Sequence, residues 1–531
     1  MSARLLALPF CAAILILASL APAQERPREE DLFGAAPDGG APAVERRPAE
    51  SAGSRPSESE LFGGSSPDAG AAPAGAKAQI SSEPARENPV GEQATQDQRG
   101  LASALSKDLF ATEPGRDNPL QIGGQMYLRS IVQGTENTSA SDTRFLLPAI
   151  VDGFFDARPS DRVRGMILAR LTYDPTLSSN AANNAFGVPT SSNPAVLLDQ
   201  LWVNFDILRT VFVTAGRQHV KWGVSRFWNP TDFLSPQRRD PLAVFDPRLG
   251  ASMLKLHLPS ERGWNLYAIA LFDNAGPANR LGQIGGAMRA EIAIGRGEIG
   301  AEAVLQNGRR PRFGLDASSA IGPFDAYAEV ALKKGNEVSL FRPASQPNPL
   351  LGFAGQFESY TPTDLEVGAS GGLNRTFVIG ENNNLLIGAE YFYNSLGYDT
   401  ASIYPSGYDN PSIYPFLLMQ GAFQPFYVGK HYGALYTTFT SPKLLGENTS
   451  LVLSILGNLS DRSFITRLDY LTRVLSYLFI EAYADVHYGN RGGEFRLGFD
   501  IPAQQIGDQM IPAISVPAPT FDLGLALRIK I

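Results

Sequence analysis

The chain has 531 residues and a single cysteine, Cys11. Cys11 lies within the apolar stretch Leu5 to Leu20, which follows Arg4 and leads into the small-residue site Ala21-Pro22-Ala23. That arrangement predicts a secretory signal peptide over residues 1–23. Bulky Phe10 just before Cys11 argues against a lipid-modification site. Cleavage before Gln24 would leave a mature chain with no cysteine, so disulfides cannot staple its fold.

Long hydrophobic runs are also missing. After the signal no stretch of about eighteen apolar residues occurs, so no membrane-crossing helix is expected. Charge is modest and slightly acidic, at −8 overall, which gives no basic surface for nucleic acid. The four histidines, His219, His257, His431 and His487, are scattered without metal-ligand spacing, and neither a Gly-x-Ser-x-Gly elbow nor a phosphate-binding loop occurs. Neither an enzyme nor a bound cofactor or metal is expected.

What the chain does contain is alternation. Phe521, Leu523, Leu525, Leu527, Ile529 and Ile531 occupy the odd positions of the last eleven residues. Asp522, Gly524, Ala526, Arg528 and Lys530 occupy the even ones. A period of two describes a strand with one oily and one wet face, here about long enough to cross a bilayer when tilted. The alternative is the edge strand of a soluble sandwich. The stretch resembles the terminal assembly signal of bacterial outer-membrane barrels, although that signal usually ends in Phe or Trp and this chain ends in Ile531.

Residues 24–118 are rich in Ala, Pro, Gly, Ser, Glu and Arg and cannot bury enough apolar area to offset chain entropy. A disordered periplasmic tail is expected there. Within it Glu30-Asp31-Leu32-Phe33-Gly34 is echoed by Glu60-Leu61-Phe62-Gly63 and by Lys107-Asp108-Leu109-Phe110. These Leu-Phe repeats read as docking motifs for a periplasmic protein, or as drift within a low-complexity segment.

From residue 119 to 531 segments of about ten alternating residues follow one another, with Phe, Tyr and Gly abundant. The pattern predicts an all-β fold: a transmembrane antiparallel β-barrel of about 18 strands (16–18) in contact with outer-membrane lipid. Short connections, such as 158–161, 208–210, 295–297 and 471–473, alternate with long ones at 174–195, 224–250, 333–364, 395–430 and 489–519. A soluble sandwich has no reason to sort its loops this way. On the third strand Val163, Ile167, Leu171 and Tyr173 would face lipid and Arg162, Arg164, Arg170 and Thr172 the interior. Met166 and Leu168 break the sorting.

A barrel this wide leaves an aqueous channel unless something fills it. Its predicted lining has a basic wall of Arg129, Arg164, Arg170, Arg217, Lys221, Lys255 and His257. Facing it would be an acidic wall of Glu298, Glu302, Asp325, Glu329, Glu366 and Glu390. Two such walls set a transverse field across the pore, unless the sorting is chance.

Gly216-Arg217-Gln218-His219-Val220-Lys221-Trp222-Gly223, feeding Asn229-Pro230-Thr231-Asp232, resembles one broad group of porin-like outer-membrane proteins. The resemblance implies a channel-forming protein and says little about the solute. With the charged lumen, the expectation is a porin, monomeric or trimeric, passing small hydrophilic solutes across the outer membrane of a Gram-negative bacterium. Pro230, Pro236, Pro241 and Pro247 stiffen the loop that follows, which reads as an inward constriction. There Arg226, Arg238 and Arg239 would meet an anionic or hydroxylated solute, Phe227 and Trp228 would stack on a ring, and Asp232 belongs to the same constriction. A surface cap with an interfacial aromatic pair is the other reading of that loop. The competing function is a structural or anchoring barrel whose tail binds a periplasmic partner.

Overall fold

A computed structural model describes residues 119–531 apart from 179–191, 236, 244–247, 261–262, 273–279, 308, 335–339, 347, 349–354, 381–382, 401–412, 442–446, 502 and 507–508. The expected signal peptide, the tail and its Leu-Phe repeats lie outside the described residues, as do Pro236 and Pro247. Nineteen strands share one sheet, of which one is the three-residue Arg144–Leu146. The remaining eighteen form a closed antiparallel cylinder.

In chain order these are β1 (Leu120–Thr135), β2 (Ala149–Ser160), β3 (Val163–Tyr173), β4 (Ala195–Ile207), β5 (Val211–Gln218) and β6 (Ala251–Pro259). Next come β7 (Trp264–Leu271), β8 (Gly285–Ile294), β9 (Gly297–Leu305), β10 (Arg312–Ile321), β11 (Phe324–Lys334) and β12 (Leu365–Ile379). The last six are β13 (Asn383–Asn394), β14 (His431–Ser441), β15 (Glu447–Asn458), β16 (Ser463–Leu475), β17 (Leu478–Gly489) and β18 (Pro519–Lys530). Each pairs with its sequence neighbour, and β18 closes on β1 with Leu527 opposite Leu128 and Arg528 opposite Tyr127. The count agrees with the figure of about 18 strands expected from the alternation.

Alternation sets which face is which, because neighbouring side chains on a strand point to opposite sides. Leu523, Leu525 and Leu527 are 46%, 53% and 43% exposed, and Ala526 and Arg528, which alternate with them, are buried. The same exposure recurs on β3 at Ile167 and Leu171, on β9 at Ile299, on β10 at Leu315 and on β14 at Leu435. An apolar exterior around a charged interior is the inverse of a soluble protein, and it fits a bilayer. Arginine substituted for Leu525, on this outer face, would cost about 2–4 kcal/mol near the bilayer midplane. Urea unfolding in lipid vesicles should show a loss of that size for Leu525→Arg. Leu525→Ala should lose less, and equal stability for both variants would refute a lipid contact at this position.

The two residues that break the alternation on β3 have a use. Met166 and Leu168 pack inside the barrel with Phe154, against Trp202. They are apolar because they contact one another rather than water.

Long connections all leave one end of the cylinder. Among the described residues, those at that end form a cap: Phe357, Tyr414, Phe416, Leu417, Val428 and Phe499 cluster there, with helix α1 (Tyr414–Met419) at the centre. Glu494 pins the cap to the rim. Its carboxylate accepts from Tyr432 Oη (2.6 Å), Asn458 Nδ2 (2.8 Å) and the Phe426 amide. Burial, with Asp461 nearby, pushes the Glu494 carboxyl up to about 8.

Candidate functional site

The connection between β5 and β6, residues 219–250, meets the cap at Phe426 and Tyr427 but is not built into its apolar cluster. It enters the barrel and reaches β13 and β14, half-way round the cylinder from where it starts. Two apolar contacts carry it there. Val220, Trp222, Phe233 and Leu234 pack on Met253, Ile269, Leu271, Ala287, Val304 and Ala331, from strands β6 to β9 and β11. Further along, Phe227 and Trp228 pack with Phe392, Tyr432 and Tyr436 of β13 and β14.

Between these contacts the loop's main chain is held by carboxylates. Glu390 of β13 accepts hydrogen bonds from three consecutive amides, Arg226 N (2.8 Å), Phe227 N (3.1 Å) and Trp228 N (2.9 Å). Tyr327 Oη donates a fourth at 2.7 Å. Glu329 of β11 accepts from Ser225 N (3.0 Å), Asn229 Nδ2 (3.2 Å) and both N and Oγ1 of Thr231. On the intervening β12, Ser370 Oγ lies 2.7 Å from Ser225 Oγ and donates to the Trp228 carbonyl at 3.0 Å. Ionised carboxylates accept without donating, which suits a group facing several N–H donors at once.

The Gly-Arg-Gln-x-x-x-Trp-Gly and Asn-Pro-x-Asp residues take definite places in this arrangement. Gly223 has φ +91°, and a Cβ there would meet Glu329 Oε2 at 2.3 Å, so glycine is required on both counts. Asn229 also donates to the Ser225 carbonyl at 2.7 Å and closes the turn. Pro230 packs over Gly368 of β12, and Asp232 pairs with Arg248 at 2.9 Å.

Loop cations lie over aromatic rings. The Arg226 guanidinium covers the Tyr436 ring (4.3 Å) and Arg238 the Tyr427 ring (4.6 Å). Arg239 donates to the Arg226 carbonyl at 2.9 Å. Burial, with Arg239 adding to it, pushes the Lys221 ammonium down to about 8. Phe227 and Trp228 do not offer a ring-stacking surface. Trp228 is 0% exposed, stacked on Phe392 with its indole N–H donated to the Phe426 carbonyl at 3.0 Å. Large aromatics beside arginines suggest a binding platform in the bore; here they anchor the loop instead.

The remaining predicted lining residues divide by partner. Arg164 binds Asp156 at 2.9 Å; Arg170 binds Asp152 at 2.8 Å and Asp199 at 3.3 Å. Glu302 meets Arg289, which also bonds Asp316 (2.6 Å) and Glu291 (2.7 Å). Arg129 lies over the Tyr483 ring at 4.4 Å, with Arg467 on the same ring at 3.9 Å. Glu298 and Asp325 stand near the short-turn end of β9 and β11, and Glu366 is buried at the long-loop end of β12. Arg217 pairs across the sheet with Leu201 and Ser252, which puts it on the outward parity. Gly216 before it has φ +124°, and the strand ends one residue later.

Opposed basic and acidic walls therefore do not describe this interior. Asp152, Asp156 and Asp199 lie among the arginines, and Arg289 lies among the carboxylates. The alternation already places Asp152 and Asp156 on the parity of Ile150 and Phe154, and that parity was the signal available for them.

No protein-family model matches the chain, and no curated protein sequence does. Among solved structures the chain is similar to OccAB1 of Acinetobacter baumannii, at 8% identity and TM-score 0.46, covering 79% of this chain and 99% of that one. It is similar to OccK9 (OpdG) of Pseudomonas aeruginosa at 10% identity and TM-score 0.45, with 78% and 98% covered. OprB of Pseudomonas putida gives 10% identity and TM-score 0.40, with 78% and 94% covered. On its closed cylinder of eighteen strands, apolar outside and charged within, the described part of residues 120–531 forms a transmembrane β-barrel of the outer-membrane type.

Proposed function

We propose that the barrel is a channel giving passive or substrate-selective diffusion of small hydrophilic solutes, with residues 219–250 as its constriction. The observation that carries this reading is the loop's attachment to β11, β12 and β13 inside the barrel, far from its own strands. On this reading the bore lies between the loop and the ion-paired wall from β16 round to β4. That wall carries Arg467 with Asp469 and Asp485, Arg528 with Glu481, and Arg170 with Asp152. Paired charges of both signs leave that wall without a large net field. Lys221, Arg226, Arg238 and Arg239 add positive charge at the loop and favour an anionic or hydroxylated solute there.

Planar-bilayer recording of the purified protein tests the reading. Discrete conductance steps are expected, and replacing Arg238 and Arg239 together by alanine should move the reversal potential toward cation preference. A protein that folds and inserts but passes no current would end the channel reading. One observation favours the competing anchoring barrel: the interior holds two sizeable apolar clusters. Deleting residues 24–118 separates the two, since a channel keeps its conductance and an anchor loses its periplasmic partner.

A further inference from the structure

We infer that Glu329 and Glu390 are positioning residues: a paired-carboxylate clamp that holds residues 225–231 across the bore and thereby sets its conductance and selectivity. This rests on the channel reading above. The clamp acts on the loop's main chain, so it fixes the loop's shape whatever side chains point into the lumen. Three amides in succession, 226 to 228, converge on one carboxylate, and the amides of 225 and 231 converge on the other. The two glutamates flank β12, whose Ser370 touches the loop between them. Loop backbone conformation is matched to this seat by Gly223 at φ +91° and by Pro230 over Gly368.

Glutamine is the informative replacement because it keeps the size and turns one acceptor into a donor. At Glu390 that donor would face amide N–H groups that are themselves donors. Glu329→Gln with Glu390→Gln should free the loop from the wall, with a several-fold rise in single-channel conductance and a weaker ion preference. Thr231→Val with Asn229→Ala removes donors from the loop alone, leaves the barrel wall intact, and should give a smaller change in the same direction.

A lock separates loop release from general damage. Ser225 Oγ and Ser370 Oγ are 2.7 Å apart, and residues 119–531 contain no cysteine. Ser225→Cys with Ser370→Cys, added to the double glutamine variant and oxidised, should restore the wild-type conductance, and reduction should release it again. If wild type conducts while the glutamine and loop-side variants match it in conductance and reversal potential, the clamp is refuted. The same holds if the oxidised lock leaves the raised conductance unchanged. Absence of current from wild type would instead refute the channel reading itself.

Discussion

Arg289→Ala should lower the stability of the folded barrel by about 3–5 kcal/mol, the usual cost of removing one partner from a buried ion pair. Arg289 is 5% exposed, and its guanidinium bonds Glu291, Glu302 and Asp316, on its own strand β8 and on the next two, β9 and β10. Without it three carboxylates face one another with no counter-charge. Lysine at this position keeps one charge but lacks the planar fork that reaches several carboxylates together, so Arg289→Lys should recover only part of the loss. Urea titration of vesicle-inserted protein, followed by tryptophan fluorescence, reads both variants. Arg289→Ala unfolding at the wild-type midpoint would show that the cluster does not hold these strands.

The second large effect belongs to Trp228. Its indole is fully buried against Phe392 and Tyr432 and hydrogen-bonded to the Phe426 carbonyl. Removing a buried aromatic of this size costs about 3–5 kcal/mol. The strand ladders do not depend on that ring, so the loss should fall on the loop and on its contact with residues 426–427. For Trp228→Ala we expect a barrel that still resists heat in detergent but shows fast open-channel noise and new protease cleavage between residues 224 and 250. Trp228→Phe keeps the stacking and loses the indole donor, and should be intermediate. A quiet, protease-resistant Trp228→Ala protein would mean that the carboxylates hold the loop without the aromatic contact.

The two effects differ in kind. Arg289 ties strand to strand, so its loss is felt by the whole cylinder. Trp228 ties a loop to the wall, so its loss is felt by the bore. Measuring both in one protein distinguishes stability of the barrel from placement of the constriction.

The residue types of the loop after Gly223 suggest a stacking role for two of them that their burial excludes. Phe227 and Trp228 read as a stacking platform because nothing local says what lies across the barrel. Arg217 read as lumenal because its charge was put ahead of its parity, which it shares with Val211, Val213 and Ala215 on the outer face. Glu329 and Glu390 read as free lining charges because their donors are backbone amides about a hundred or more residues away in sequence.

Alternation by itself determined the strands, their inward and outward faces and the sorting of short from long connections. Lipid outside and water inside act on every residue of a spanning strand, so that information is written locally and repeats. The partners inside the barrel were decided by closure alone. Which carboxylate meets which arginine, and which wall receives the loop, depends on bringing β5 opposite β14, and short-range sequence carries no record of that distance.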